Sequence, residues 1–285
     1  MKNFSYSVAE ATRLAESILD RDYLALLARN CPGLKTFDFQ NYLACSRWRL
    51  DKTLNALDGL FFNIDRRSAQ LLDFGAWLGN FAIALKLDGW LNVTACDMWA
   101  RYSPALNAQK EMLARYSVDT IDTTMIVGRP QGPRYDVVLF MGVIEHIADS
   151  PRKLLKILND CLKPGGFLIL DTPNLAYLPN RRRLNRGQSP YTPIEQQFET
   201  ESPFEGHVRE YTASELHWML NRSGFDVVRT EFFNYSPLPW WKVPLLDHIR
   251  LLFPPYFLDS PALDALRMKL LPELRELIFV VARKA

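Results

Sequence analysis

The sequence predicts a doubly wound α/β fold, a largely parallel sheet with helices on both faces. Three observations carry that prediction. Apolar runs of strand length alternate with stretches of helical period from Leu71 onward. The run Tyr135–Met141 is almost wholly apolar, as a strand covered on both faces must be. The first apolar run, Leu71–Phe74, is closed by a glycine turn that leads straight into a helix pattern.

Composition bounds the rest. A chain of 285 residues suits one large domain or two small ones and can bury a core without staples. Apolar residues make up 48%, which argues against global disorder. Charge is nearly balanced, 34 basic against 32 acidic residues, without the basic excess of a nucleic-acid binder. Cys31, Cys45, Cys96 and Cys161 form no C-x-x-C pair, so no metal or redox motif is expected. Cys96 and Cys161 sit in apolar stretches and read as buried thiols, which fits a reducing, cytoplasmic setting. The residues after Met1 run into a charged helical pattern, unlike a signal peptide. No uncharged apolar run approaches the ~18 residues of a membrane span.

The elements follow in order. Ser7–Val8–Ala9–Glu10 has the form of a capping box, and Leu14, Ile18 and Leu19 continue it at helical spacing. Asn30 to Gly33 breaks that helix, and a second helical pattern runs from Asn41 to Leu57. Leu71–Phe74 is the first strand, Asn80–Leu87 a helix, and Leu91–Asp97 the second strand. Ser103–Pro104 opens a helix, with Ser as cap and Pro at its first position. Thr123–Val127 is expected as the third strand and Tyr135–Met141 as the fourth. Ser150–Pro151 starts a helix with Leu154, Leu155, Ile157, Leu158, Cys161 and Leu162 in one stripe. Lys163–Gly166 stops it, and Phe167–Asp171 is the fifth strand. Beyond a loop-rich insertion, Thr212–Glu215 is another capping box, Gly224 ends its helix, and Phe225–Phe232 is the sixth strand. Residues 233–276 are rich in proline and aromatics, and Leu277–Val281 is the seventh strand.

A doubly wound sheet binds ligands at the carboxyl ends of its strands, where Asp73, Asp97, Met141 and Asp171 lie. The turn Gly75-Ala76-Trp77-Leu78-Gly79 lets a ligand approach the backbone, and the helix after it offers free amides. Asp97 ends the next strand, where an acid can accept both ribose hydroxyls of a nucleoside. Together these predict a nucleoside-cofactor site.

The ordered blocks LLDFGAWLGNFAIAL, Asp97, YDVVLFMGVIEHIADSPRKLLKILNDCLKPGGFLILDTPN and HVREYTASELHWMLNRSGFDVV resemble the class I S-adenosylmethionine-dependent methyltransferases. The likeness is to the ubiquinone-type small-molecule enzymes and spans residues 67–232 plus the last strand. It implies a Rossmann-like seven-stranded sheet over residues 67–285, with insertions at about 173–210 and 233–276 and a helical cap over 1–66. It implies S-adenosylmethionine as cofactor. Asp73, Phe74, Gly75, Ala76, Trp77 and Gly79 match the first cofactor motif. Asp97 matches the ribose-binding acid, Met98 the position flanking adenine, and Met141, Gly142 and Val143 the stretch bordering the cofactor. There are two departures. Trp77 replaces the motif's middle glycine, so the turn bows outward, the ring enters the substrate channel, or the ring simply packs. The loop Gly128–Gln131 lacks the acid that meets adenine in many relatives.

An alcohol acceptor needs its proton removed, which a histidine can do near neutral pH. His146, just past the fourth strand, and His207, in Gly206–Tyr211, are the catalytic candidates. The bland alternative for His146 is anchoring its loop, while the His207 motif could close over the active site. Arg209 and Tyr211 beside His207, and Arg182 in the basic run Arg181–Arg183, are candidate acceptor contacts. The expected acceptor is a small molecule, a glycan or a lipid-linked intermediate, methylated at oxygen, with no nucleic-acid partner. The aromatic stretch from Tyr235 to Phe257 reads as packing or a lid, with a dimer face or a peripheral membrane contact as alternatives. Two other functions remain open. One is a non-catalytic scaffold with Trp77 filling the pocket. The other is a nicotinamide-dependent oxidoreductase, disfavoured because G-x-G-x-x-G is absent.

Overall fold

A computed structural model describes residues 4–19, 21–30, 37–60, 66–100, 106–127, 132–200, 204, 206–235 and 261–285. Seven strands form one sheet: β1 (Gln70–Phe74), β2 (Asn92–Asp97), β3 (Asp119–Asp122), β4 (Tyr135–Met141), β5 (Leu162–Pro173), β6 (Phe225–Phe233) and β7 (Leu277–Lys284). Their order is β3-β2-β1-β4-β5-β7-β6, all parallel except β7, which runs antiparallel between β5 and β6. The chain reverses its direction of winding between β1 and β4, and this opens a crevice at their carboxyl ends.

The helices among the described residues are α1 (Ser5–Ser17), α2 (Arg21–Asn30), α3 (Phe39–Leu60), α4 (Asn80–Leu87), α5 (Asn107–Arg115), α6 (Thr123–Val127), α7 (Arg152–Cys161), α8 (Leu178–Asn185), α9 (Ile194–Glu199), α10 (Ala213–Arg222) and α11 (Pro261–Leu270). Alternate residues of the central strands feed two cores, because successive side chains point to opposite faces. Leu71, Val137, Leu139 and Ile169 pack with Leu43, Leu50 and Leu54 of α3 and Ile83 of α4. Leu72, Val138, Phe140 and Leu170 pack with Leu155 and Leu158 of α7 and Leu216 and Leu220 of α10. The helical cap α1–α3 thus covers one face and is part of the main core. No helix among the described residues is long and apolar enough to cross a membrane.

Several local expectations change. Ser7 is no cap: α1 already begins at Ser5, Ser7 is buried inside it, and Glu10 pairs with Arg13. Thr123–Val127 is a helix, and β3 lies just before it on the polar run Asp119–Asp122. The β-branched run favours a strand, but Asp122 accepts both the amide and the hydroxyl of Thr124, which turns the chain. The fifth strand starts at Leu162, so Lys163–Gly166 belongs to it. The box at Thr212 forms as expected, with Glu215 Oε2 accepting the Thr212 amide at 2.8 Å. The insertion carries α8 and α9. Ser103–Pro104, the loop Gly128–Gln131 and the aromatic stretch beyond Tyr235 lie outside the described residues.

Candidate active site

The glycine turn after β1 is tied to the end of β2. Gly75 and Ala76 donate their amides to the Cys96 carbonyl at 2.8 and 3.1 Å. Gly75 has φ +83°, and a Cβ there would fall 2.4 Å from the Val143 side chain. Gly79 has φ +74° and would meet Leu113 at 2.8 Å. Both positions therefore require glycine. Asp97 organises the ligand side: one carboxylate oxygen accepts the Trp77 amide at 2.6 Å and the other the Met98 amide at 2.7 Å. Burial raises its pKa, and those two amides oppose the rise. Asp73 is buried, and its Oδ2 has no hydrogen-bond partner among the described residues. Burial, with Asp97 adding repulsion, pushes it up to about 7.

Trp77 takes φ +35°, rare for a large residue. Its ring packs against Phe37, Phe39 and Tyr42 of the cap, with ring centroids 5.5, 5.6 and 5.0 Å away. The cap thereby grips the turn directly.

The sequence reading missed Arg49. Its Nε and Nη2 donate to the two oxygens of Asp171 at 2.6 and 2.7 Å, with both residues buried. Burial works against the guanidinium charge, but Asp171 and Tyr235 hold its pKa well above the ordinary value. A Cβ on Gly142 would lie 2.6 Å from Arg49 Nη2, so glycine makes room for the arginine. A signal was present: Arg49 falls on the buried stripe Leu43, Ser46, Leu50, Thr53, Leu54 and Leu57.

Past Met141, a short 3-10 turn at Ile144–His146 presents Glu145 inward and His146 outward. The His146 and His207 rings meet edge to face, centroids 4.8 Å apart. His146 Nδ1 lies 3.1 Å from the Gly206 carbonyl, and His207 Nδ1 lies 3.3 Å from Glu210 Oε1. Burial lowers the His207 pKa, but Glu210 and Glu145 more than offset that and leave it raised. Burial pushes Glu145 up to about 7, with His207 opposing, and its Oε2 accepts the Thr172 hydroxyl at 2.9 Å. The Glu145 carbonyl accepts the amides of Val208 and Arg209 at 2.8 and 3.2 Å, which holds the His207 segment over the strand ends.

Glu145, His146 and His207 bring one polar atom each to within 4.8 Å of one another. Glu145 is buried and carries a raised pKa, so it holds a proton readily near neutral pH. The cluster is suited to moving a proton.

The other candidates scatter. Arg209 is exposed, bonds Glu215 at 2.7 Å and lies over the Tyr211 ring, which is buried. Arg182 turns inward to pair with Asp264 of α11, and Arg181 Nε donates to the Ala176 carbonyl at 2.7 Å. Arg181 and Arg182 are thus engaged by different protein partners, not turned together toward one surface.

Residues 47–230 match a family described as Methyltransferase domain. A ubiquinone biosynthesis O-methyltransferase of Roseobacter denitrificans is 28% identical over 190 residues, covering 62% of this chain and 68% of that protein. One from Cereibacter sphaeroides is 28% identical over 191 residues, covering 62% and 69%. Magnesium protoporphyrin IX methyltransferase from Synechocystis, solved with S-adenosylhomocysteine, superposes with TM-score 0.52 at 14% identity, over 88% of this chain and 89% of that one. An S-adenosylmethionine dependent methyltransferase from Mesorhizobium loti gives TM-score 0.51 at 15% identity, over 80% and 96%. At such identities the solved structures speak for the fold alone.

Proposed function

The chain belongs to the methyltransferase-domain family and uses S-adenosylmethionine, and from that premise we propose that it methylates a hydroxyl oxygen of a small molecule, with His146 and His207 on the acceptor side. The residues fit the cofactor. Two glycines with positive φ leave the turn backbone open, Asp97 stands at the end of β2, and Asp73 keeps a buried side-chain oxygen without a partner among the described residues. In this reading Gly75, Ala76 and Gly79 line the methionine portion, Asp97 takes the ribose, Met98 flanks the adenine, and Met141–Val143 form the border.

When bound, the cofactor supplies a methyl group on a positively charged sulfur, already activated for displacement. The protein has two remaining tasks, to align the acceptor oxygen and to take its proton. The histidine pair supports this reading most. His146 stands three residues past Val143, the side chain that abuts Gly75, and brings the His207 ring to the same end of β4. The relatives' O-methyltransferase activity supports oxygen as the methylated atom.

The test is a panel of hydroxyl-, amine- and thiol-bearing small molecules incubated with labelled S-adenosylmethionine. The expected product is an O-methyl ether, with rates falling at least ~100-fold in His207→Asn. Methylation of amines alone, at rates indifferent to both histidines, would contradict it.

A further inference from the structure

We propose that Glu210 is a positioning residue for His207: it holds the ring by its Nδ1 edge, leaving Nε2 as the group that accepts the acceptor's proton. This rests on the O-methylation reading above and assigns the base within it.

The two histidines differ in what surrounds them. His146 is exposed, and its Nδ1 faces the carbonyl of Gly206. A carbonyl fixes a tautomer but does little for the charge that arrives with a proton. His207 is half-buried, and its Nδ1 faces a carboxylate at 3.3 Å. Glu145 adds negative charge from the turn after β4. A proton arriving at Nε2 makes the ring cationic, and a carboxylate on the far nitrogen stabilises that cation. With Nδ1–H donating to Glu210, the neutral ring carries its lone pair on Nε2.

Glu210 is itself held. Its Oε2 accepts Asn180 Nδ2 at 3.3 Å, and Asn180 is buried in α8. The next residue, Tyr211, bridges to Asn174 beyond β5, and its carbonyl accepts the Leu175 amide at 3.0 Å. The chain Asn180–Glu210–His207 therefore runs from the insertion to the strand ends, and this gives the insertion a part in the chemistry. The groups facing the dyad are Glu145 and His146 at the ring and Glu276, just before β7, at Glu210.

The experiment needs no known acceptor. The full chain, saturated with S-adenosylhomocysteine, is followed by imidazole nitrogen and carbon NMR across pH. There are only 4 histidines, which His→Asn variants assign. In the native protein His207 should show the Nδ1–H tautomer when neutral. In Glu210→Gln its midpoint should move to lower pH and its tautomers should mix, with Asn180→Ala acting in the same direction. His217, bonded to Thr230 at 2.8 Å, should not move and reports that the fold is intact. A His207 midpoint and tautomer unchanged in Glu210→Gln overturn the proposal. If His207 titrates as described but His207→Asn methylates hydroxyl acceptors at the native rate, the wiring stands and the base assignment falls.

Discussion

Arg49 and Asp171 are 122 positions apart and form a bidentate, fully buried pair that pins α3 to the carboxyl end of β5. The contact joins the helical cap to the strand ends where the chemistry is placed. It also accounts for the glycine at 142, whose missing side chain leaves space for the guanidinium.

Removing one partner should leave an uncompensated buried charge. Arg49→Met or Asp171→Asn is expected to cost about 3–5 kcal/mol in urea denaturation. The double variant with two apolar residues should recover most of that loss, because it removes the desolvated charges together. Equal stability of the single variants and the native protein would refute this account of the pair.

Trp77 sets backbone strain against ring contacts. Glycine tolerates φ +35° without the roughly 1–2 kcal/mol that a side chain costs there. The ring, however, touches three cap aromatics, each contact worth about 0.5–1.5 kcal/mol. Trp77→Ala should therefore be the least stable form, Trp77→Gly about 1 kcal/mol better, and the native protein best. A Trp77→Gly protein with a higher melting temperature than the native one would show that strain outweighs the aromatic contact.

Asp73 and Glu145 both carry pKa values pushed up to about 7 by burial. A carboxyl raised in the folded state binds its proton more tightly there than in the unfolded chain. Its contribution is thus complete below about pH 4 and is lost as pH rises toward about 7. Stability should fall across that window by a few kcal/mol, since each pKa unit is worth about 1.4 kcal/mol. Asp73→Asn should flatten the fall in denaturation curves taken at acid and neutral pH. An identical slope in the variant would place the titration elsewhere.

The sheet was legible because its central strands are apolar on both faces and its turns carry glycine, signals that are local in sequence. Asn80–Leu87 and Tyr135–Met141 appear in the structure with the bounds read from the residues. The third strand was not legible: β3 is a polar strand of 4 residues at the sheet edge, Asp119–Asp122, with none of the apolar run that marked the other strands. Asp97 and the glycine turn were readable from their order along the chain. The pairing of Arg49 with Asp171 and of Asn180 with Glu210 was not, because those partners are 122 and 30 positions apart, although Arg49 does lie on a helical stripe. Arg182 looked like a ligand contact because sequence cannot show that Asp264 waits for it across α11.

The cofactor site is the central claim, and calorimetry with S-adenosylhomocysteine tests it most directly. The native protein should bind one equivalent. Asp97→Ala should bind about 10- to 100-fold more weakly, through loss of the charge-assisted bonds to the ribose hydroxyls. Folded native protein that binds no S-adenosylhomocysteine, or an Asp97→Ala variant that binds it as tightly as the native chain, would contradict the account.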